Sequence, residues 1–130
     1  MISSTILQEE AKSMMLSTLE SQRSHEFKEL LLEAVDTALS SLGDSSKQAI
    51  YFYLEKNFTV EKQEITNKVE EFANAIEEML GYGAKILEVE IMKQLYMRIG
   101  NGFEYFPEKE DLLFVNYIDA ARMHVRVCHH

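Results

Sequence analysis

The chain has 130 residues, of which 46% are apolar, so it can bury one hydrophobic core without metals or disulfides and we expect a single domain. One proline and five glycines are too few for a many-stranded β fold, which indicates an all-α protein. The net charge of −9 opposes nucleic acid and anionic membranes as partners, and the lone cysteine suits a reducing cytoplasm.

Residues 3 to 22 form the first predicted helix, which carries a narrow apolar stripe. The stripe recurs at intervals of three and four residues, at Leu7, Ala11, Met14, Met15 and Leu19. Such a helix either lies on the domain or pairs with its copy in a second subunit. Residues 21 to 23 are a predicted break, so residues 1 to 23 are interpreted as an N-terminal helical arm. We expect Leu7, Met14 and Met15 to form an interface in a homo-oligomer.

The next two predicted helices, between residues 24 and 58, belong to a core domain that spans residues 24 to 100. Ser24 is predicted to cap the first of them, because its hydroxyl can accept a hydrogen bond from a free amide of the first turn. Gly43 is predicted to end that helix in a left-handed conformation, and Asp44 or Ser45 to cap the second helix. The second helix is apolar on nearly every side, so we expect it at the centre of the bundle.

A tight turn between two further helices is predicted at residues 81 to 83. Thr66 or Asn67 is expected to cap the helix before this turn. We assign a structural role in turns to Gly43, Gly81 and Gly83. The sequence Gly-Tyr-Gly could also cradle a phosphate, but a helix precedes it where a P-loop needs a strand, and no Gly-Lys-Ser/Thr follows.

Residues 101 to 130 are predicted to form an aromatic linker and a last helix. Pro107 suits the first turn of that helix, which continues at helical spacing through Leu113, Tyr117 and Ala121. The linker carries three aromatic side chains: Phe103, Tyr105 and Phe106. They are too concentrated to remain in water, so we expect them to dock the last helix onto the bundle or onto a second subunit. The whole is then a bundle of about six helices.

No motif in the chain indicates catalysis, a cofactor or a resident metal. The glutamates lack the Glu-x-x-His motif of di-metal bundles, and no Ser, His and Asp stand in a nucleophile context. His124 and Cys128 stand four residues apart and, with His129 and His130, could hold zinc or nickel, but this end of a chain usually frays and we expect no site. A signal peptide and an apolar run of about 18 residues are both missing from the sequence, so we expect no membrane partner.

Six tyrosines leave a second interpretation open. Tyrosine suits partly buried sites, because its ring is apolar and its tip is polar. A helical bundle could therefore hold a small molecule in a core pocket lined by Tyr51, Tyr53 and Tyr96. In this alternative the protein is a small-molecule sensor.

Several segments between residues 33 and 99 resemble a known family. They are Leu39-x-x-Leu-Gly, Lys47-Gln-Ala-Ile-Tyr-Phe-Tyr-Leu-Glu, the apolar positions Ile65, Phe72 and Ile76, Leu80-Gly-x-Gly-Ala, and Ile91-x-x-x-Leu-Tyr. The pattern is similar to the small helical output domain named for the archaeon Nitrosopumilus, found at the C-termini of archaeal signalling proteins and as short stand-alone proteins. One departure is Thr-Asn-Lys-Val at residues 66 to 69, where a proline-bearing turn would be expected.

The resemblance implies an archaeal, cytoplasmic role without catalysis, and it transfers no catalytic residues. Together with the arm, it leads us to expect a protein–protein interaction or signal-output module that forms a homodimer. Other signalling proteins are further expected partners.

Overall fold

The computed structural model describes the backbone of residues 2–100 and 113–127, and the side chains of residues 18, 19, 21–100 and 113–127. Most of these residues are helical and none of them lies in a strand, which confirms the predicted all-α fold class. Five α-helices and one 3-10 helix follow in order: α1 (Ile2–Ser40), α2 (Asp44–Phe58), the 3-10 helix (Lys62–Asn67), α3 (Val69–Leu80), α4 (Gly83–Ile99) and α5 (Phe114–Val127).

Helix α1 is continuous over 39 residues and joins the arm to the core without interruption. The break predicted at residues 21 to 23 is therefore wrong, and Ser24 lies inside the helix rather than at its N-terminus. No glycine or proline occurs between Ile2 and Ser40. Glutamine and arginine are good helix formers, and a lone serine is only mildly unfavourable, so these residues do not end a helix.

The hydrophobic core lies between the C-terminal half of α1 and α4, which make the most extensive helix–helix contact among the described elements. Both helices contribute side chains that are almost wholly buried, among them Leu31, Val35, Leu39, Ile91 and Leu95. Helices α3 and α5 close the core with Phe72, Ile76, Tyr117 and Ile118. The two rings Phe72 and Phe114 lie 6.2 Å apart and join α3 to α5.

Helix α2 lies at the edge of the bundle, so its predicted central position is wrong. It buries only Ile50 and Leu54, which are four residues apart on one face. Phe52 is 63% exposed, although it is one of the apolar residues that suggested a central helix. The centre is taken by α1 and α4, which are longer and have wider apolar faces.

The helix caps also differ from the sequence expectation. Neither Asp44 nor Ser45 caps α2, whose N-cap is Gly43, and neither Thr66 nor Asn67 caps α3, whose N-cap is Lys68. The predicted connection before α3 instead folds as the 3-10 helix. A reciprocal hydrogen-bond pair between Glu61 and Glu64, side chain to backbone in both directions, begins this helix and replaces the expected loop.

A tight turn between α3 and α4 depends on Gly81. Its φ of 56° falls in the region that side chains disfavour, and its amide donates to the Glu77 carbonyl at 2.9 Å, which ends α3. Gly83 is the first residue of α4 and has no positive φ. The two glycines therefore differ: only Gly81 has a backbone conformation that favours glycine.

Helix α5 packs antiparallel against α1. The Arg23 guanidinium donates to the Arg126 carbonyl at 2.8 Å, and the Arg122 guanidinium lies 5.3 Å from the centre of the Phe27 ring. On the other side of α5, the Tyr117 hydroxyl donates to the Met92 carbonyl of α4 at 3.0 Å. The C-terminal helix thus packs on this chain's own bundle.

Candidate functional site

The arm is the part of α1 that extends past the described end of α5. Arg23 lies beside Arg126 in the last described turn of α5, so the residues before Arg23 continue past the described end of that helix. Thr18, Leu19, Ser21 and Gln22 are exposed, and the first buried side chain after them is Phe27. At about 1.5 Å per residue, residues 2 to 22 form a helix about 30 Å long.

Some of the predicted interface residues lie on the arm, and the others lie outside the residues that the structure describes. Leu7, Met14 and Met15 lie on the arm, where the backbone is helical, but their side chains lie outside the described residues. Phe103, Tyr105 and Phe106 lie wholly outside the described residues. Leu19, the last apolar residue of the stripe, is 42% exposed. Helical periodicity places the stripe on one side of the arm.

Tyr51 belongs to a polar cluster centred on Asp36 of α1. The Asp36 carboxylate accepts hydrogen bonds from Lys47 at 3.1 Å, Lys62 at 3.2 Å and the Tyr51 hydroxyl at 3.1 Å. Two effects on the pKa of Asp36 oppose each other. Partial burial acts to raise the pKa, but the three hydrogen-bond donors lower it by more, so the pKa of Asp36 lies below its ordinary value. Burial and the neighbouring Asp36 charge raise the pKa of Tyr51. This cluster ties α1 to α2 and to the 3-10 helix.

Tyr51, Tyr53 and Tyr96, the tyrosines of the predicted pocket, line none of three cavities found among the described residues. Tyr51 is held by Asp36, as above. Tyr53 packs against Phe58, with ring centres 5.8 Å apart. Tyr96 is half-buried on α4.

A crevice between α3, the start of α4 and the start of α5 is the largest of the described cavities, with a volume of about 700 Å³. We call it the Glu88 crevice. Its lining consists of Glu70, Ala73, Asn74, Glu77, Gly81, Tyr82, Ala84, Lys85, Glu88, Leu113, Phe114 and Val115. The residues from α3 share one face because they are three or four positions apart, and the turn at Gly81 brings the first turns of α4 alongside them.

Glu88 is the unusual member of this lining. It is 5% exposed and has no hydrogen bond or ion pair with any described residue. Burial raises the pKa of the Glu88 carboxyl, the Glu77 charge raises it further, and Lys85 partly opposes the shift. Buried groups with perturbed pKa values, set in a cleft, are characteristic of functional sites.

A smaller cavity of about 230 Å³ lies where the 3-10 helix meets α1 and α5. The Arg122 guanidinium donates to the Thr66 carbonyl there. Two buried polar atoms, the Thr66 hydroxyl oxygen and Arg122 Nε, have no hydrogen-bond partner in the described part of the chain. This cavity joins polar groups of distant elements, but its small size limits what it can hold.

Sequence reasoning missed Glu88, although the sequence carries a signal for it. Ala84, Glu88, Ile91 and Leu95 follow one another at intervals of three and four residues, so a carboxylate interrupts the apolar face of α4. Asp36 likewise lies directly beside buried Val35. The assumption that glutamates and aspartates lie at the surface excluded both positions from the predicted site residues.

Within residues 2–100 and 113–127, no helix is both long and apolar enough to cross a membrane. No three His, Cys, Asp or Glu side chains in the described part of the chain lie close enough together to hold a metal ion. Of the C-terminal residues considered for zinc or nickel, only His124 is described, and Cys128, His129 and His130 lie outside the described residues.

Comparisons with protein-family models, curated proteins and solved structures find no significant match to this chain.

Proposed function

We propose that this protein is a non-enzymatic interaction module that assembles through its arm, and that the partner is a second copy of the same chain. The observation that carries the proposal is the continuity of α1, in which residues 2 to 22 form about 30 Å of helix past the described end of α5. Two such arms form a homodimer by packing their apolar stripes together.

The length of the arm supports a partner. The arm needs no nucleation of its own because it continues α1, but most helical stability in proteins comes from the packing of one apolar face. Beyond Arg23 the arm passes the described end of α5, and Leu19 is partly exposed there. A second helix against the stripe would bury its apolar side chains.

The chemistry of the stripe supports a second copy as that partner. Leu7, Met14 and Met15 carry no charge, so two stripes can meet without burying an ion. Methionine side chains are flexible and adapt to the facing surface. An interface made by the same surface on both subunits closes as a two-fold dimer, which is the commonest oligomer.

The wider role we propose is signal output in an archaeal, cytoplasmic regulatory system. Its support is the resemblance over residues 33 to 99, which includes the Tyr-Phe-Tyr-Leu segment of α2 and the turn at Gly81. In such a system the arm would set the oligomeric state, and the core would present a surface to other signalling proteins.

A single charged substitution on the stripe tests the assembly. Met14→Lys places an ammonium group in the seam, whereas Ser13→Lys adds the same charge on the opposite side of the helix. Light scattering combined with native mass spectrometry should give twice the chain mass of 15.1 kDa for the unmodified protein and for Ser13→Lys. Met14→Lys should shift the protein toward the single-chain mass.

Circular dichroism of the same samples checks that both variants retain the helical core. A single-chain mass for the unmodified protein would refute the homodimer. Equal masses for the two lysine variants would show that the stripe is not the interface.

A further inference from the structure

The Glu88 crevice contains a carboxyl group that the protein encloses almost completely. Glu88 is 5% exposed and has no partner among the described residues. A buried polar group without a hydrogen-bond partner reduces stability, and a buried charge does so more strongly. The Glu88 oxygens are not among the fully buried atoms without a partner, so they open onto the crevice, where a cationic ligand can pair with them.

The charge of the crevice favours a cation. Glu70 and Glu77 lie seven residues apart on the face of α3 that lines it, and Glu88 faces them from α4. Lys85 is the only basic residue among the described lining residues, so three carboxylates stand against one ammonium group. Clefts lined by one sign of charge concentrate ligands of the opposite sign.

The walls of the crevice indicate what kind of cation would fit. Ala73, Ala84, Leu113, Phe114 and Val115 supply apolar surface beside the carboxylates. A volume of about 700 Å³ is that of a small-molecule pocket. The described carboxylates do not gather into a group of three at metal-binding distances. An organic cation with an apolar chain therefore fits the crevice better than a metal ion does. Its chain can contact the apolar lining residues, and its charge can pair with carboxylates that are too far apart to hold one metal ion.

We propose that the Glu88 crevice binds a protonated alkylamine, with the ammonium group paired to the Glu88 carboxylate and the alkyl chain against Leu113 and Phe114. Glu77 and Glu70 lie along the α3 side, where a second ammonium group of a diamine would pair with them. This binding is independent of assembly through the arm, and it gives the small-molecule alternative a site other than the predicted tyrosine pocket.

Calorimetric titration with matched probes tests the charge requirement. Hexylamine and 1,6-diaminohexane are the cationic probes, and 1-hexanol is the neutral probe with the same chain. We expect both amines to bind and the alcohol to bind at least about tenfold more weakly, since a hydrogen bond to a charged group contributes more than about 1.4 kcal/mol. Failure of both amines to bind, or equal binding of the alcohol, would overturn the proposal.

Two variants with the same charge change test the position. Glu88→Gln keeps the shape of the side chain and should weaken amine binding at least about tenfold. Glu78→Gln removes an exposed carboxylate of α3 that does not line the crevice, and it should leave binding unchanged. Equal effects of the two variants would show that only the overall negative charge attracts the amine, which contradicts a site at Glu88.

The pH dependence of binding separates Glu88 from the other groups that face it. These groups are Glu77 and Glu70 on α3 and Lys85 on α4, and the described α5 residues of the lining carry no charge. Amine binding should weaken as the pH falls through the raised pKa of Glu88, where the alkylammonium stays charged. Glu88→Gln should remove this pH dependence, and an unchanged pH profile in the variant would overturn the assignment.

Discussion

Glu88 and Asp36 show how the surroundings of a carboxylate decide its effect on stability. Asp36 accepts hydrogen bonds from two lysines and a tyrosine, which lower its pKa, so its ionised form supports the fold. Glu88 is buried without such donors in the described chain, and burial raises its pKa. The two residues have the same formal charge in the sequence, and only packing distinguishes them.

The free energy of unfolding should rise when Glu88 loses its charge. A group whose pKa is raised in the folded state destabilises the fold at pH values above that pKa, and the penalty disappears as the pH falls below its ordinary value of 4.5. We therefore expect Glu88→Gln to stabilise the ligand-free protein at neutral pH by about 1 kcal/mol. Urea unfolding at pH 7 and near pH 4 measures the effect.

The gain from Glu88→Gln should shrink at the lower pH, because Glu88 then binds a proton in both the folded and the unfolded protein. Glu78→Gln is the exposed control and should change little at either pH. A variant that is less stable than the unmodified protein at pH 7 would mean that the Glu88 charge supports the fold, which removes the premise of the crevice proposal.

At the scale of the elements, the turn between α3 and α4 depends on one of its two glycines. Gly81 has a φ of 56°, and a Cβ added there would meet no atom within 4 Å, so strain comes from the backbone alone. Gly81→Ala should lower the free energy of unfolding by about 1 kcal/mol. Gly83→Ala places alanine at the start of α4, in ordinary contact with Leu80, and should not destabilise. Thermal unfolding of both variants provides the measurement, and equal losses would contradict this difference.

The attachment of α5 can be tested at a single hydrogen bond. Tyr117 is fully buried and its hydroxyl donates to the Met92 carbonyl. Tyr117→Phe keeps the ring and removes the donor, so it should lower the free energy of unfolding by about 1 kcal/mol in urea. Met123→Leu, on the exposed side of α5, is the control and should change it by less than half as much. No loss in Tyr117→Phe would mean that the hydrogen bond does not hold α5 in place.

Helix positions could be predicted from the sequence where glycine and apolar periodicity agree. The boundary of α3 and α4 follows from Gly81 together with the apolar faces on either side. The continuity of α1 did not follow, because a short polar run resembles a break although its residues are compatible with a helix. The edge position of α2 did not follow either, since apolar composition does not say which helix reaches the centre. The Glu88 crevice depends on contacts between α3, α4 and α5, which local patterns do not contain.

At the scale of the whole molecule, one continuous helix, α1, contains both the arm and the longest buried segment of the bundle. The bundle buries its core between α1 and α4. The arm continues α1 past the described end of α5, so the arm belongs to the same helix that lies at the centre of the core. This continuity is the physical basis on which assembly through the arm would influence the bundle.

Hydrogen exchange at several protein concentrations tests the assembly most directly. Residues 2 to 22 report on the arm, and residues 117 to 125 of α5, which include buried Tyr117 and Ala121, provide an internal reference of slow exchange. Pairing of two arms predicts that exchange in residues 2 to 22 slows as the protein concentration rises, while the reference stays unchanged. Rapid exchange of the arm at every concentration would contradict the proposed homodimer.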